Sequence, residues 1–547
     1  QRQMCIRDSA IVASKELEIA LTGKSCGLEE RAPMCGIPYH AVETYLARLV
    51  SRGYKVAICE QVEDPKLAKG LVKREVIRVV TPGTNLDVQS LEASKNNYLM
   101  CIAYTSDGIG ISAADVTTGD YYVTEVEDLR KLKDELMKYE PSEIICNEAF
   151  LVSGYDVEDL KSRLHMSVSS LESHMFDDDG CRRILMRHFK VNTLIGLGVE
   201  EFPTGILAAG ALLQYLYDTQ KTDLEHFTHI SPYLTSKYML LDSSTRRNLE
   251  LTETLREKQK RGSLLWVLDK TKTAMGGRLL RNYIEQPLID KEEMEKRLDA
   301  IQELNQDSIS RDEIREYLNP VYDLERLLSK VTYKTANPRD LIAFRNSLQM
   351  LPPIKTVLAG FQKEELAAIR EEIDGLEDIY QLIDEAIVEE PPISIREGGM
   401  IKDQFDETID HLRAAKHDGK QWLVQLEEED RERTGIKNLK IKKNNVFGYF
   451  FEVTNSYKDL VPEDYIRKQT LANAERYTTP RLKELEDTIL NAEDKLQTLE
   501  YDIFCRIRDT IAQELVRIQN TAKALAKLDV YASLSLIHIS EPTRPEP

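Results

Sequence analysis

An apolar stripe over residues 482–525 restricts the fold more than any other feature of this chain. Its members recur every three or four residues, and neither Pro nor Gly interrupts them. That spacing places them on one face of a helix. The stripe therefore predicts a single helix of roughly 65 Å, at about 1.5 Å per residue.

A second, less regular helical pattern precedes this stripe. Its apolar positions, set among alternating charges and loosened by Gly419, are Phe405, Ile409, Leu412, Trp422 and Leu426. Between the two helical patterns, the turn-forming pair Asn444-Asn445 leads into a strand-like run at residues 446–453. The order helix, β element, helix predicts an arm that carries a small β tip.

The β tip is basic, whereas the chain as a whole is acidic. Residues 431–483 contain twelve Lys and Arg against six Asp and Glu, a net charge of +6, and the whole chain carries −20. A local reversal of that size favours a polyanion as partner. On charge alone, a solvated cap on a helical hairpin stays open as the alternative.

Length and composition set broader limits. A chain of 547 residues is expected to form three to five domains. No run approaches the roughly 18 apolar residues needed to cross a membrane, and no secretory signal pattern opens the chain. The eight Cys are scattered without a CxxC pair, which favours reduced cytoplasmic thiols over zinc or disulfides. Residues 1–9 and 535–547 follow no neighbouring periodicity and are interpreted as sequencing artefacts, with the natural protein extending beyond both ends.

Three blocks near the start of the chain carry a family resemblance. They are residues 30–40 (ERAPMCGIPYH), 54–61 (YKVAICEQ) and 79–84 (VVTPGT). In this order and spacing they resemble the mismatch-recognition domain of the MutS family of DNA mismatch repair proteins. Later blocks extend the resemblance over residues 10–534.

The resemblance implies a multidomain fold of α/β and all-α parts. Residues 10–92 would form part of a small α/β mismatch-recognition domain, and residues 93–215 a connector with a ribonuclease-H-like fold. Residues 216–430 would form an all-α core and the outgoing lever helix. A small β-rich clamp at residues 431–483 would be inserted at the lever tip, before a returning lever helix at 484–534.

The clamp is then expected to bind duplex DNA through its phosphates, which positions the duplex without reading its sequence. The charged candidates are Lys440, Lys442, Lys443, Arg467, Lys468 and Arg476, and the neutral donors are Asn445, Thr470 and Asn473. Because a short β element needs an apolar core, Phe447, Tyr449, Phe450 and Phe451 are interpreted as core rather than as a stacking platform. In the first domain, Met34 matches a family position beside the minor groove, with a buried core Met as the alternative.

Two functional elements of the family are missing from this sequence. The family detects a mispair with a Phe-x-Glu element whose Phe wedges into the base stack. Here the only such triplets begin at Phe405 and Phe450, in the arm and the tip. No G-x-x-x-x-G-K-[ST] P-loop occurs, and Gly23-Lys24-Ser25 is predicted to be a loop.

No enzymatic activity and no cofactor are therefore expected of this chain, although the resemblance implies ATP and Mg²⁺ for the full-length family. It also implies a homodimer and a MutL-type partner for the full-length protein.

Other interpretations fit parts of the sequence. A recombination-type MutS relative, or a helical DNA-binding scaffold without mismatch reading, would have the same arm. Asp115 could be a nuclease carboxylate, but two-metal chemistry needs clustered acids, so a structural Asp is favoured. Arg246-Arg247 could contact phosphate, although ion pairs with helix-face acids are favoured.

Overall fold

The computed structural model describes residues 8–25, 31–38, 41–63, 72–87, 91–162, 164, 166–234, 237–444, 448–471 and 473–536. The chain divides into two compact units. The first comprises residues 1–335, 346–376 and 512–547, and the second comprises residues 336–345 and 377–511.

The first unit opens with short elements and two strand pairs. The elements are α1 (Asp8–Leu17), β1 (Thr22–Lys24), β2 (Ala32–Met34), α2 (Val42–Val50), β3 (Val56–Gln61) and β4 (Arg74–Val80). Strand β1 pairs antiparallel with β2, and β3 pairs antiparallel with β4. The loop predicted at Gly23-Lys24-Ser25 was wrong, because Gly23 and Lys24 pair with Pro33 and Ala32.

A six-stranded mixed sheet follows. Its elements are β5 (Leu99–Tyr104), β6 (Ile109–Asp115), β7 (Asp120–Val126), α3 (Leu129–Tyr139), β8 (Glu143–Cys146), α4 (Glu148–Leu151), α5 (Val157–Ser162), β9 (Ser167–Ser170), α6 (Asp178–His188), α7 (Pro203–Gln220) and β10 (Ser231–Pro232). The strand order is β10-β7-β6-β5-β8-β9. Strand β10 lies inside the range 216–430 that the sequence predicts as helical, because two residues are too few to show a strand periodicity.

Both faces of this sheet are buried. Along β5, Leu99 and Cys101 belong to the hydrophobic cluster that includes α7, whereas Met100 and Ile102 belong to the cluster that includes α3. Strands covered on both sides read as continuous apolar runs. Helix α7 approaches β6 so closely that a Cβ on Gly110 would overlap the carbonyl oxygen of Thr204 and lie 2.7 Å from the amide nitrogen of Gly205.

The next part of the chain is helical. It contains α8 (Ser243–Asn248), α9 (Leu264–Leu268), α10 (Ala274–Glu285), α11 (Lys291–Gln306), α12 (Ser308–Leu318), α13 (Leu324–Thr332), α14 (Pro338–Leu348), α15 (Leu351–Leu358), α16 (Glu364–Glu372) and α17 (Glu377–Ala386). Side-chain caps begin several of them, as where Asp290 accepts from the Glu293 amide at the start of α11.

The second unit contains two long helices with a sheet between them in sequence. The elements are α18 (Glu407–Thr434), β11 (Lys440–Asn444), β12 (Gly448–Thr454), β13 (Ile466–Thr470), β14 (Ala474–Thr478) and α19 (Pro480–Gln513). Gly435, with φ of 70°, ends α18 in the left-handed conformation that glycine adopts at low cost. Arg413 contacts Glu500 and Arg481 contacts Glu429, so α18 and α19 lie side by side and antiparallel.

The long helix predicted over residues 482–525 is interrupted. Helix α19 ends at Gln513, and α20 (Leu515–Leu534) starts after Glu514, whose φ and ψ of −92° and 18° leave the helical geometry. The prediction of a single helix was therefore wrong at one residue. The apolar stripe continues across Glu514, so its periodicity could not locate the break.

Candidate nucleic-acid interface

The four strands β11 to β14 form one antiparallel sheet in the order β11-β12-β14-β13. Lys440 pairs with Glu452, and Glu452 pairs with Arg476 on the next strand. Arg476 in turn pairs with Gln469 after a bulge between Arg467 and Gln469. Since directly paired residues share a face of a sheet, this row defines one face, called here the outer face.

The opposite face of the sheet packs on the two helices. Phe451, Val453 and Tyr477 form a hydrophobic core with apolar residues of α18 and α19, including Leu426 and Ile489. Phe451 is fully buried and Tyr449 is half-buried at the margin of this core. The interpretation of the aromatic residues as core is thus confirmed for Phe451.

Phe450 lies on the outer face and is also buried, with 2% of its surface exposed. The guanidinium of Arg476 lies 4.4 Å from the centre of its ring. This cation–π contact covers the ring, so Phe450 is not a free stacking surface. Phe447 lies outside the described residues.

The outer face carries three of the predicted basic residues. The Lys442 ammonium lies 2.7 Å from Glu452 Oε1, and Arg476 donates to Gln469 Oε1 at 2.7 Å. Lys440 is exposed at the start of the edge strand β11. Together they form a basic strip that crosses the sheet, with Glu452 as its acidic member.

Two other predicted lysines are directed toward α19 instead. Lys443 Nζ lies 3.3 Å from Glu493 Oε2 and 5.4 Å from the centre of the Tyr449 ring. Lys468 Nζ lies 4.0 Å from Glu486 Oε2. The acids that pair with these lysines are on α19. They therefore lie outside residues 431–483, the segment with a net charge of +6.

The neutral candidates lie at one end of the sheet. Thr470 and Asn473 are exposed where β13 leads to β14, and the Asn473 carbonyl accepts from the Asn455 amide. The length of β12 puts this end about 20 Å from Asn444, at about 3.3 Å per residue. Asn445 lies outside the described residues. The predicted site residues therefore form separate groups rather than one continuous patch.

Glu475 is a buried acid that organises the exposed cations near this end. It lies 2.7 Å from Lys458 Nζ and 3.7 Å from Arg467 Nη1, and it accepts from the Tyr477 hydroxyl. The Lys458 hydrogen bond, followed by that of Tyr477, lowers the pKa of Glu475, while burial raises the pKa of Tyr477 to about 12. Lys458 could not be predicted individually from the sequence, because it stands apart from the other basic residues and contributes only to the net charge of the segment.

We expect the stability of the second unit to depend on Glu475 at acid pH. Because its pKa is lowered in the folded state, Glu475 stabilises the fold above its unfolded-state pKa, about 4.3. That contribution is lost as the pH falls through the lower folded-state pKa. Glu475→Gln should therefore flatten the acid limb of the free energy of unfolding, measured by urea denaturation from about pH 7 to about pH 3. Glu463→Gln, a change at an exposed position of the same segment, should keep the wild-type profile, and equal profiles for all three proteins would contradict the assignment.

Met34 lies in the short strand β2 of the first unit. It is the last residue of β2, pairs with Thr22 and is half-buried, while the adjacent Cys35 belongs to a small buried cluster. Its carbonyl accepts from Thr22 Oγ1 at 2.8 Å. A half-buried Met is neither a full core residue nor a free one, and its role stays a prediction.

Neither Phe-x-Glu triplet is arranged as a wedge. Asp406 caps α18 by accepting from the amides of Thr408 and Ile409, which fixes the triplet that begins at Phe405. In the other triplet, Phe450 lies under Arg476 and Glu452 pairs with Lys442. Both triplets therefore have structural roles.

Asp115 is a structural residue. It is fully buried, and its two oxygens accept from Asn96, Asn97, and both the amide and hydroxyl of Thr117 at 2.7–2.9 Å. Across the parts of the chain that the structure describes, no group of three or more His, Cys, Asp or Glu could hold a metal ion. The structural interpretation of Asp115 is thus favoured over nuclease chemistry.

Arg246 lies near helix acids, as the sequence predicted. Its Nε donates to the Leu241 carbonyl at 3.0 Å. Burial raises the pKa of Asp134 on α3 and of Glu285 on α10, and the positive charge of Arg246 opposes this rise at both carboxyls.

Among the described residues, no helix has both the length and the apolar composition that a membrane crossing needs.

A mixed sheet, a helical region, and a basic sheet connected to two long antiparallel helices define a multidomain protein with mixed α/β architecture. Models of MutS domains I, II and III match residues 4–89, 97–230 and 244–535. The last of these alone covers just over half of the chain. The chain therefore belongs to the MutS family.

Curated relatives agree with this assignment. Three proteins named DNA mismatch repair protein MutS are 64%, 53% and 51% identical to the chain, and come from Lachnoclostridium phytofermentans, Ruminiclostridium cellulolyticum and Acetivibrio thermocellus. The matches cover 97%, 96% and 96% of this chain, but only 57%, 60% and 60% of the relatives. The chain thus spans about three fifths of their length. The recombination-type alternative is not favoured by these names.

Proposed function

We propose that this chain serves DNA mismatch repair by holding duplex DNA, and that the β11–β14 sheet is the clamp that contacts the phosphate backbone. The observation that carries the proposal is the basic strip of Lys440, Lys442 and Arg476 on the outer face. Lysine and arginine side chains on a sheet face suit phosphate oxygens, which give affinity without sequence preference.

The domain roles implied by the resemblance belong to the same proposal. Residues 10–92 would be part of the mismatch-recognition domain, with Met34 beside the minor groove, and residues 93–215 the ribonuclease-H-like connector. The remaining helices would form the core and levers. ATP hydrolysis with Mg²⁺, homodimer formation, a MutL-type partner and a cytoplasmic location are proposed for the full-length protein, and none of them for domains I to III alone.

A salt titration tests the clamp. Because each neutralised phosphate releases condensed counterions, we expect the affinity for a duplex of about 30 base pairs to fall steeply between about 50 and 200 mM salt, as measured by fluorescence anisotropy. The combined Lys440→Ala, Lys442→Ala and Arg476→Ala variant should bind more weakly, with a salt slope lower by up to about 3.

A matched control removes the same charge elsewhere. Lys291→Ala, Lys296→Ala and Lys363→Ala replace three lysines that belong to the helical part of the first unit, and should leave the slope close to that of the wild type. Salt-independent binding, an unchanged slope in the clamp variant, or a strong preference for mismatched over matched duplex would contradict the proposal.

A further inference from the structure

Glu486 on α19 is a buried carboxylate in direct contact with the clamp sheet. It is 8% exposed, and its Oε1 accepts from the Tyr449 amide at 2.9 Å. The residue before Tyr449 is Gly448, with φ of 69°. A Cβ on Gly448 would overlap Oε1 of Glu486 and lie 2.7 Å from its Cδ. Only glycine therefore leaves room for the carboxylate at this point.

This contact fixes the start of β12, and through it part of β11. Gly448 pairs with Asn444, and Tyr449 pairs with Lys443. The second oxygen of Glu486 lies 4.0 Å from Lys468 on β13, the edge strand on the other side of the sheet. The Glu486 carboxylate thus contacts both β12, which pairs with the edge strand β11, and Lys468 on the opposite edge strand β13.

Because Glu486 is negatively charged, it cannot attract phosphate as the basic residues of the sheet are proposed to do. An acid beside lysines that bind phosphate repels the ligand, so its removal alone should strengthen DNA binding. A buried carboxylate that accepts a backbone hydrogen bond can have the opposite effect, because it orders the groups that make the contact. The two effects have opposite signs, and an affinity measurement separates them.

We infer that Glu486 is a positioning residue for DNA binding. It raises the affinity of the clamp by holding β12 in place, and through it the paired strand β11 with Lys440 and Lys442, even though it adds negative charge. The inference rests on the proposed function of the sheet. Glu486 does not touch the DNA; it acts through the Tyr449 amide and the pairing of β12 with β11.

Four single variants of the full chain test it, with the same duplex and salt series as above. Glu486→Ala should bind about fivefold to tenfold more weakly than the wild type, because a hydrogen bond to a charged group is lost. Asp487→Ala, which removes the same charge from an exposed position one residue on, should bind as well as the wild type or slightly better. Glu486→Gln keeps an acceptor for the Tyr449 amide and should restore most of the affinity.

Glu486→Asp keeps the charge but withdraws the carboxylate by one methylene, and should weaken binding at unchanged net charge. If thermal unfolding shows that the Glu486→Ala variant does not fold, the Glu486→Asp variant tests the inference in its place. A residue that only stabilises the fold would shift the unfolding temperature and leave the salt slope of the folded protein unchanged. When Glu486 is replaced, loss of a positioning role should lower the salt slope even well below the unfolding temperature, because Lys440 and Lys442 on β11 are no longer held in place to contact phosphates.

The outcomes separate the two proposals. If the triple clamp variant binds as the wild type does, the proposed function fails and this inference fails with it. If the triple variant is weakened but Glu486→Ala and Glu486→Asp bind as tightly as Asp487→Ala, only the positioning role is overturned. Weaker binding with a lower slope in Glu486→Asp supports both.

Discussion

Replacement of Glu500 by alanine is expected to lower the free energy of unfolding of the second unit by about 2–4 kcal/mol, because a buried charged acceptor of several hydrogen bonds is lost. Glu500 is fully buried and lies 2.7 Å from Arg413 Nη2. Its other oxygen accepts from the amides of Gly399 and Met400. The alanine variant leaves the two amides without their acceptor, while Arg413 keeps Asp403 and the Ile401 carbonyl as partners. Urea denaturation followed by circular dichroism measures the loss.

The same arginine supplies the control. Arg413 Nη1 lies 2.6 Å from Asp403, whose side chain is 84% exposed. Because exposed ion pairs contribute about 0–1 kcal/mol, Asp403→Asn should change stability by less than about 1 kcal/mol. If Glu500→Ala and Asp403→Asn lowered the free energy of unfolding by similar amounts, burial of Glu500 would not be the cause of its larger expected effect.

Replacement of Gly110 by alanine is also expected to lower the stability of the protein strongly. The added Cβ would overlap the backbone carbonyl of Thr204 at the start of α7, and backbone cannot swing aside as a flexible side chain can. Forced overlap in a packed interior costs about 1–3 kcal/mol and occasionally more. We expect a loss at or above the upper end of that range, measured as a lower unfolding temperature and a lower denaturant midpoint.

Gly196→Ala is the matched control in the same region. Apart from its neighbours in the chain, no atom of the described residues lies within 4 Å of a Cβ built on Gly196, and the residue is exposed. Its replacement should leave stability within about 0.5 kcal/mol of the wild type, as is usual for surface substitutions. Equal losses at the two glycines would contradict the close approach of α7 to β6.

The local patterns of the sequence predicted the main elements of the second unit. The helical pattern from Phe405 to Leu426 corresponds to α18 (Glu407–Thr434), and the strand-like run at 446–453 corresponds to β12 (Gly448–Thr454). Continuous apolar runs and alternating patterns reflect burial that each strand experiences along its own length, so they can be read without knowledge of the neighbouring strands.

The arrangement of the candidate site could be predicted only in part. The basic window indicated the β11–β14 sheet as the candidate site. It did not indicate that Lys443 and Lys468 lie near acids of α19 while Lys442 lies on the outer face. The face on which a side chain lies depends on the pairing register, and a shift of one residue reverses it. The bulge between Arg467 and Gln469 makes such a shift, and no local pattern in the sequence marks it.

The antiparallel pairing of α18 and α19 has a consequence for the order of folding. The two helices are joined in sequence by the sheet, so Arg481 and Glu429, near the sheet, are 52 residues apart, whereas Arg413 and Glu500 are 87 apart. Loop closure costs more entropy as the loop grows. Once β11–β14 form, each further helical turn closes only a short additional loop. We therefore expect α18 and α19 to pair first near the sheet and then progressively toward Glu500. Substitutions in the sheet should then slow folding, whereas substitutions at Glu500 should mainly speed unfolding.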